Sequence, residues 1–125
     1  MTNLALSPLG PMFDPSAPPE RIGLPVDGRL DVVIVDSIDW LESEGNYVRV
    51  HANGSIRLVR TTLAALRNRL GTLMFRQVHR SIVVNVARVV AVRPVGNGDC
   101  ALVLTNGEEL RMSRRYRDGL LSTFR

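Results

Sequence analysis

The hydrophobic positions of the chain fall into short runs that are separated by turn-forming residues. Residues 32–35 form one β-branched run, and valines alternate with polar or aromatic residues over residues 47–51. Alternation of this kind is typical of a half-buried β-strand. Asn-Gly pairs begin at Asn53, Asn97 and Asn106, and such pairs favour tight hairpin turns. The pattern therefore predicts short antiparallel strands joined by hairpins.

One segment shows clear helical periodicity. Leu63, Leu66 and Leu70 lie on one face of a helix, Thr61 or Thr62 is positioned to cap its start, and a glycine follows Leu70 directly. Strands and helices do not alternate along the rest of the chain, so a parallel sheet is not predicted. We expect a mainly β fold of short antiparallel sheets with one short amphipathic helix.

The first 27 residues differ in composition from the rest. They contain six of the seven prolines and few large apolar side chains in any periodic order. This composition predicts a Pro-rich flexible arm or linker over residues 1–27 and one ordered domain over residues 28–125. The arm is either the end of a linker from an upstream regulatory domain or the natural start of a free-standing protein, and the sequence leaves both open.

Composition narrows the class of protein. A chain of 125 residues with 45% hydrophobic and 22% charged residues suits one globular domain with its own core. The single cysteine, Cys100, has no partner for a disulfide within the chain. The N-terminus lacks a signal-peptide pattern and no apolar stretch approaches about 20 residues, so we predict a cytoplasmic protein without a membrane span.

The charges are segregated along the chain. Residues 1–44 carry eight acids and two arginines, whereas residues 45–125 carry fourteen arginines and four acids, a balance of +10. The second part suits a polyanionic partner, because phosphate contacts release counterions and supply affinity. Every basic side chain is arginine, which binds phosphate and guanine edges bidentately. The absence of lysine also fits a GC-rich genome.

The side chains that support catalysis or metal binding form no recognisable group. His51 and His79 are far apart in the sequence, and no nucleophile motif accompanies them. Glu42 and Glu44 lie in a turn-forming stretch, where a solvated role is favoured over acid-base catalysis. We therefore expect no enzymatic activity, no cofactor and no metal site.

Arginines at the ends of predicted elements are stronger candidates for function. Arg80 stands at the entrance of a buried strand predicted over residues 82–84, and the run SRRYR at residues 113–117 follows the last predicted strand. Loops on a rigid β scaffold often carry recognition residues. From the residues alone, the SRRYR run fits a binding site and a solvated charged terminus equally well.

Five segments together resemble a known family. They are IDWLESEGNYVRVH (38–51), LVRTTLAALRNRL (58–70), FRQVHRSIVVNVARV (75–89), VGNGDCALVLTNGEEL (95–110) and MSRRYRDGLL (112–121). The combination of HRSxxVN with NGD and SRRY resembles the LytTR domain, the DNA-binding output domain of bacterial LytR/AlgR-like response regulators. The resemblance implies an elongated arrangement of short antiparallel sheets that binds DNA through loops.

The resemblance also implies three DNA-contacting clusters. Base contacts carry over to Asn46, Tyr47, Arg80 and Arg114. Phosphate contacts are expected from Arg49, Ser81, Ser113, Arg115 and Arg117. His79 is ambiguous, and a structural role beside the buried strand is favoured over a base contact.

The predicted function is that of a sequence-specific, double-stranded DNA-binding transcription regulator in a two-component system. The family implies a second protomer on direct-repeat sites. It also implies control by an upstream receiver domain or by a regulatory partner. Residues 1–27 are too short to form a receiver domain. The alternative is a protein-interaction module that inhibits or tethers a regulatory partner. An RNA-binding β-barrel is less favoured, because few aromatic residues are available to stack bases.

Overall fold

The computed structural model describes residues 19–125, so most of the arm predicted over residues 1–27 lies outside the described residues. The described part forms ten strands and two α-helices. The strands are β1 (Arg21–Val26), β2 (Arg29–Ile34), β3 (Ile38–Glu44), β4 (Tyr47–Ala52), β5 (Ser55–Val59), β6 (Phe75–His79), β7 (Ile82–Asn85), β8 (Val89–Gly96), β9 (Asp99–Leu104) and β10 (Glu109–Met112). The helices are α1 (Leu63–Leu70) and α2 (Arg114–Thr123).

The strands form three antiparallel sheets, which confirms the predicted fold class. The largest has five strands in the order β5-β4-β3-β7-β6, the second has three in the order β10-β9-β8, and β1 and β2 form a separate hairpin. Asn53 and Asn97 have positive φ values of 50° and 56° in the β4–β5 and β8–β9 turns. Asparagine tolerates this left-handed conformation, so these two Asn-Gly pairs form the predicted hairpin turns.

The prediction of a flexible arm is wrong for residues 21–26, which form β1 and pair with β2 along their whole length. Every second residue of this strand is apolar and buried. These residues are Ile22, Leu24 and Val26. Pro25 lies on the exposed side of the hairpin. Burial of the alternate side chains therefore outweighs the loop-forming tendency of a proline-containing stretch.

The five-stranded sheet separates two hydrophobic cores. The first core lies between this sheet, the β1–β2 hairpin and α1, and it includes the fully buried Leu24 and Phe75. The second core lies between β3, β6 and β7 on one side and the three-stranded sheet with α2 on the other, and it includes Leu102 and Leu120. The central strands are therefore covered on both faces.

Neighbouring residues of the central strands face different cores. Leu41 and Val83 lie in the first core, whereas Trp40 and Val84 lie in the second. Successive side chains of a strand point to opposite faces, so the part of a strand that is covered on both sides favours a continuous apolar run. This arrangement accounts for the continuous apolar run that predicted β7.

The second helix was not predicted. The sequence predicted one helix, which corresponds to α1, and treated residues 113–117 as a loop, whereas Arg114 is the first residue of α2. Leu120 is buried in the second core, and Tyr116 packs against it. Tyr116 and Leu120 are about one helical turn apart. Two apolar positions are too few to show helical periodicity in a charged stretch. Neither helix within residues 19–125 is long and apolar enough to cross a membrane.

Candidate nucleic-acid interface

The β3–β4 and β6–β7 turns lie at the same end of the five-stranded sheet. The first turn contains Asn46 and the second contains Arg80. β3 and β7 are antiparallel neighbours, and the backbone amide of Ser43 donates to the carbonyl of Ser81 at 2.9 Å. Two of the three clusters that the resemblance implied are thus adjacent.

The junction between β10 and α2 lies at the same end of the five-stranded sheet. The backbone amide of Ser113 donates to the carbonyl of Val78 at 3.0 Å, two residues before Arg80. This bond places the start of α2 beside the β6–β7 turn. We call the end of the molecule that carries Asn46, Arg80 and Arg114 the loop end.

The predicted base-contacting residues are the more accessible set. Asn46, Arg80 and Arg114 are exposed, and Tyr47 is 37% exposed. Among the predicted phosphate contacts, Arg115 is exposed, and its guanidinium carbon lies 5.6 Å from the centre of the Tyr116 ring. The other predicted phosphate contacts are half-buried. They are Arg49, Ser81, Ser113 and Arg117.

Arg80 and Arg114 have guanidinium groups that form no hydrogen bond or ion pair within the described part of the chain. By contrast, Nε of Arg49 lies 2.5 Å from Oε1 of Glu44, and Arg117 donates to a backbone carbonyl at 3.3 Å. A guanidinium that is already bonded has fewer free N–H donors, and a paired carboxylate partly neutralises its attraction for a new anion. Electrostatics therefore favour Arg80 and Arg114 as direct ligands of a polyanion.

His79 and Ser81 bond to each other across the β6–β7 turn. Nδ1 of His79 lies 2.9 Å from Oγ of Ser81 and accepts the backbone amide of Ser81 at 3.2 Å. These bonds fix the shape of the turn that carries Arg80. His79 thus has the local hydrogen bonds that a structural role requires, while a DNA contact by either residue stays a prediction.

Gln77 supports the same turn, a role that the sequence pattern does not predict. Its Oε1 accepts from Nη1 of Arg67 at 3.1 Å, and its Nε2 donates to the carbonyls of His79 at 3.2 Å and Arg80 at 3.4 Å. One side chain therefore connects α1 to the backbone of the Arg80 turn. The contact with Arg67 depends on tertiary packing, because Arg67 lies on α1, which packs against the five-stranded sheet.

Asp99 holds the first residue of α2. Its Oδ1 accepts the backbone amide of Arg114 at 3.0 Å, and its Oδ2 accepts from Nη2 of Arg111 at 3.3 Å. These two hydrogen bonds, the backbone bond first, lower the pKa of the Asp99 carboxyl below its ordinary value. Asp99 is the last residue of the NGD motif, so the motif has a structural role in holding the backbone of Arg114.

A mainly β domain that presents Asn46, Arg80 and Arg114 from three segments at one end has the architecture of a binding module for a polyanion. Comparison with known protein families identifies which kind of binding module this is. The model of the LytTr DNA-binding domain family matches residues 28–125, and the chain belongs to this family.

Curated relatives are longer proteins. The chain is 24% identical over 100 residues to the sensory transduction protein LytT of Enterococcus faecalis, a match that covers 78% of this chain and 41% of that protein. It is 31% identical over 87 residues to LytT of Bacillus subtilis, with 68% of this chain and 36% of the relative covered. The chain thus spans less than half the length of these relatives.

A solved structure has the same fold. It is described as the LytTr DNA-binding domain of a methyl-accepting/DNA response regulator from Bacillus cereus, and the match has a TM-score of 0.74 at 22% identity. The match covers 85% of this chain and 97% of that one. The arrangement of short sheets described above is therefore the LytTr fold.

Proposed function

We propose that the protein is a sequence-specific, double-stranded DNA-binding transcription regulator that contacts DNA with its loop end. One observation carries this proposal: three segments that are distant in the sequence meet at one end and present Asn46, Arg80 and Arg114 to solvent. Membership of a DNA-binding family supports duplex DNA as the polyanion. The excess of arginine in residues 45–125 supplies the attraction to phosphate.

The exposed side chains at the loop end read bases in this proposal. Arginine binds guanine O6 and N7 bidentately, which suits Arg80 and Arg114, and asparagine binds adenine N6 and N7, which suits Asn46. Tyr47 contacts the adjoining base edge. Phosphate contacts come from Ser81, Ser113 and Arg115, and from the N–H groups of Arg49 and Arg117 that are not used in their present contacts.

Control of binding comes from outside this domain in our proposal, through a receiver domain or a regulatory partner. The relatives named above are sensory transduction proteins of more than twice the matched length, which supports such an input. Two protomers are proposed to occupy direct-repeat sites. The stoichiometry on duplexes with one or two copies of the selected site tests this part.

A selection from random duplexes, followed by binding titrations, tests the function. We expect the selected duplex to bind more tightly than a scrambled duplex, single-stranded DNA or RNA, with affinity that falls steeply as salt rises. An Arg80→Ala/Arg114→Ala double variant should lose the preference for the selected site. Arg21→Ala, which changes an exposed arginine at the far end of β1, is the matched control. Failure to bind duplex at low salt would contradict the proposal and favour the protein-interaction alternative.

A further inference from the structure

Arg60 lies at the loop end but belongs to none of the three predicted clusters. It follows β5 directly, and the pairing of Val59 with Val48 places it beside Tyr47. Arg60 and Tyr47 both line an open groove of about 630 Å³ between the β1–β2 hairpin and strand β5. Arg60 is therefore a neighbour of a proposed base-contacting residue, one strand further out.

The charges in this groove single out Arg60. The other two arginines in the groove share one carboxylate: Nε of Arg29 lies 2.7 Å from Oδ1 of Asp31, and Nε of Arg57 lies 3.0 Å from Oδ2. Asp27, in the hairpin turn, is a second acid that lines the groove near Arg29. The guanidinium of Arg60 is exposed and forms no ion pair or hydrogen bond within residues 19–125. It is the cation of this groove that is free to bind an anion.

The position on the edge strand indicates which part of DNA this cation meets. Asn46 occupies the tip of the β3–β4 turn, whereas Arg60 sits at the end of β5, which is an edge of the five-stranded sheet. When a turn tip enters a groove of the duplex, residues set to its side face the sugar-phosphate backbone that borders that groove. An unpaired guanidinium binds a phosphate there through two parallel hydrogen bonds.

We propose that Arg60 binds a backbone phosphate that flanks the base pair contacted by Asn46 and Tyr47. The inference rests on the proposed function, since it needs the loop end to face DNA. It adds the β5–α1 connection as a fourth DNA-contacting segment. Because the contact is to phosphate, it strengthens binding to all sequences and fixes the orientation of the Asn46 turn without adding base preference.

Three variants test this contact: Arg60→Ala, Arg60→Lys and the control Arg21→Ala. For Arg60→Ala we expect a roughly 3- to 10-fold loss of affinity at moderate salt, equal for selected and scrambled duplexes, and a salt dependence that is less steep by about one unit of slope. Arg60→Lys should keep the steeper slope, because the charge remains. Arg21→Ala should bind like the wild type.

The outcomes separate this inference from the proposed function. If the wild type binds duplex with steep salt dependence while Arg60→Ala and Arg21→Ala behave alike, the Arg60 contact is wrong and the proposed function stands. If Arg60→Ala loses preference for the selected site only, Arg60 reads a base and the phosphate assignment is wrong. If the wild type itself does not bind duplex, both fail. Thermal unfolding of each variant confirms that the fold is retained.

Discussion

The imidazole ring of His51 is stacked on the indole ring of Trp40, with ring centroids 3.8 Å apart and an angle of 7° between the planes. Burial lowers the pKa of His51 below 6.5, although the nearby Glu108 and Glu42 oppose the shift. The unfolded chain therefore binds more protons than the folded one in this range. We expect the free energy of unfolding to be highest above about pH 6.5 and to decrease as the pH falls towards the folded-state pKa. Chemical denaturation at a series of pH values measures this.

The variant His51→Phe provides the control, because it keeps an aromatic ring against Trp40 and removes the titration. Its unfolding free energy should change less than that of the wild type between about pH 7.5 and pH 5. Carboxyl groups titrate in both proteins and cancel in the difference. Identical pH dependence in the two proteins would show that His51 does not contribute.

Asp99 places a negative charge next to a proposed base-reading residue, Arg114. Asp99→Asn keeps an oxygen that accepts the Arg114 amide and removes the charge. We expect tighter binding to selected and scrambled duplexes alike at low salt, because repulsion of phosphate decreases. Asp99→Ala removes the acceptor as well, so the start of α2 should loosen and discrimination should fall. Equal titration curves for the two variants would contradict the positioning role.

Gln77 is predicted to position Arg80 without touching DNA. Gln77→Ala removes the bonds to the His79 and Arg80 carbonyls and should weaken binding to the selected duplex roughly 3- to 10-fold, with a smaller effect on a scrambled duplex. A double-mutant cycle with Arg80→Ala checks the mechanism, because the two losses should not add. Full additivity would mean that Gln77 acts elsewhere.

Arg114 and Arg117 lie one helical turn apart but should respond differently to truncation. Arg114→Ala should relax base preference at one position and weaken the binding free energy for the selected site by about 1–3 kcal/mol. Arg117→Ala should weaken all duplexes alike and make the salt dependence less steep, because its proposed ligand is a phosphate. Titrations with single-base variants of the selected site measure both effects. Equal losses of affinity in the two variants, independent of DNA sequence, would contradict this division of roles between Arg114 and Arg117.

The β1–β2 hairpin should contribute to stability through the inner face of β1. Leu24 is fully buried in the first core, so Leu24→Ala should lower the free energy of unfolding by about 2–5 kcal/mol. Val32, which is 62% exposed on the outer face of β2, supplies the control, and Val32→Ala should cost less than about 0.5 kcal/mol. Urea denaturation compares the two. Similar small losses would show that the hairpin packs only loosely.

The hairpin turns were predictable because their signal is local. Asparagine and glycine at adjacent positions lower the cost of positive φ, and this preference depends on two residues only. β1 carried an equally local signal, the alternation of Ile22, Leu24 and Val26 before Asp27-Gly28, but the surrounding prolines obscured it. α2 had no such signal, because its apolar contact with the second core involves only Tyr116 and Leu120.

The proximity of the three clusters was not predictable from local pattern. Asn46 and Arg80 are adjacent because β3 pairs with β7, and four elements separate these two strands in the sequence. Arg114 lies beside them because the backbone of Ser113 bonds to that of Val78. The family resemblance identified the candidate DNA-contacting residues, whereas their proximity to one another depends on tertiary packing. The bond of Gln77 to Arg67 and the bonds of Asp99 to Arg111 and Arg114 depend on such packing, so residue type alone did not indicate these roles.

Trp40 is the single tryptophan of the chain, and its indole Nε1 donates to Oε1 of Glu108 at 3.2 Å. This bond joins the five-stranded sheet to the turn between β9 and β10, on the part of β3 that is remote from Asn46. The protein therefore contains an intrinsic fluorophore at the seam between its two larger sheets. Emission that changes when DNA is added would report a shift of one sheet against the other rather than stacking of Trp40 on a base.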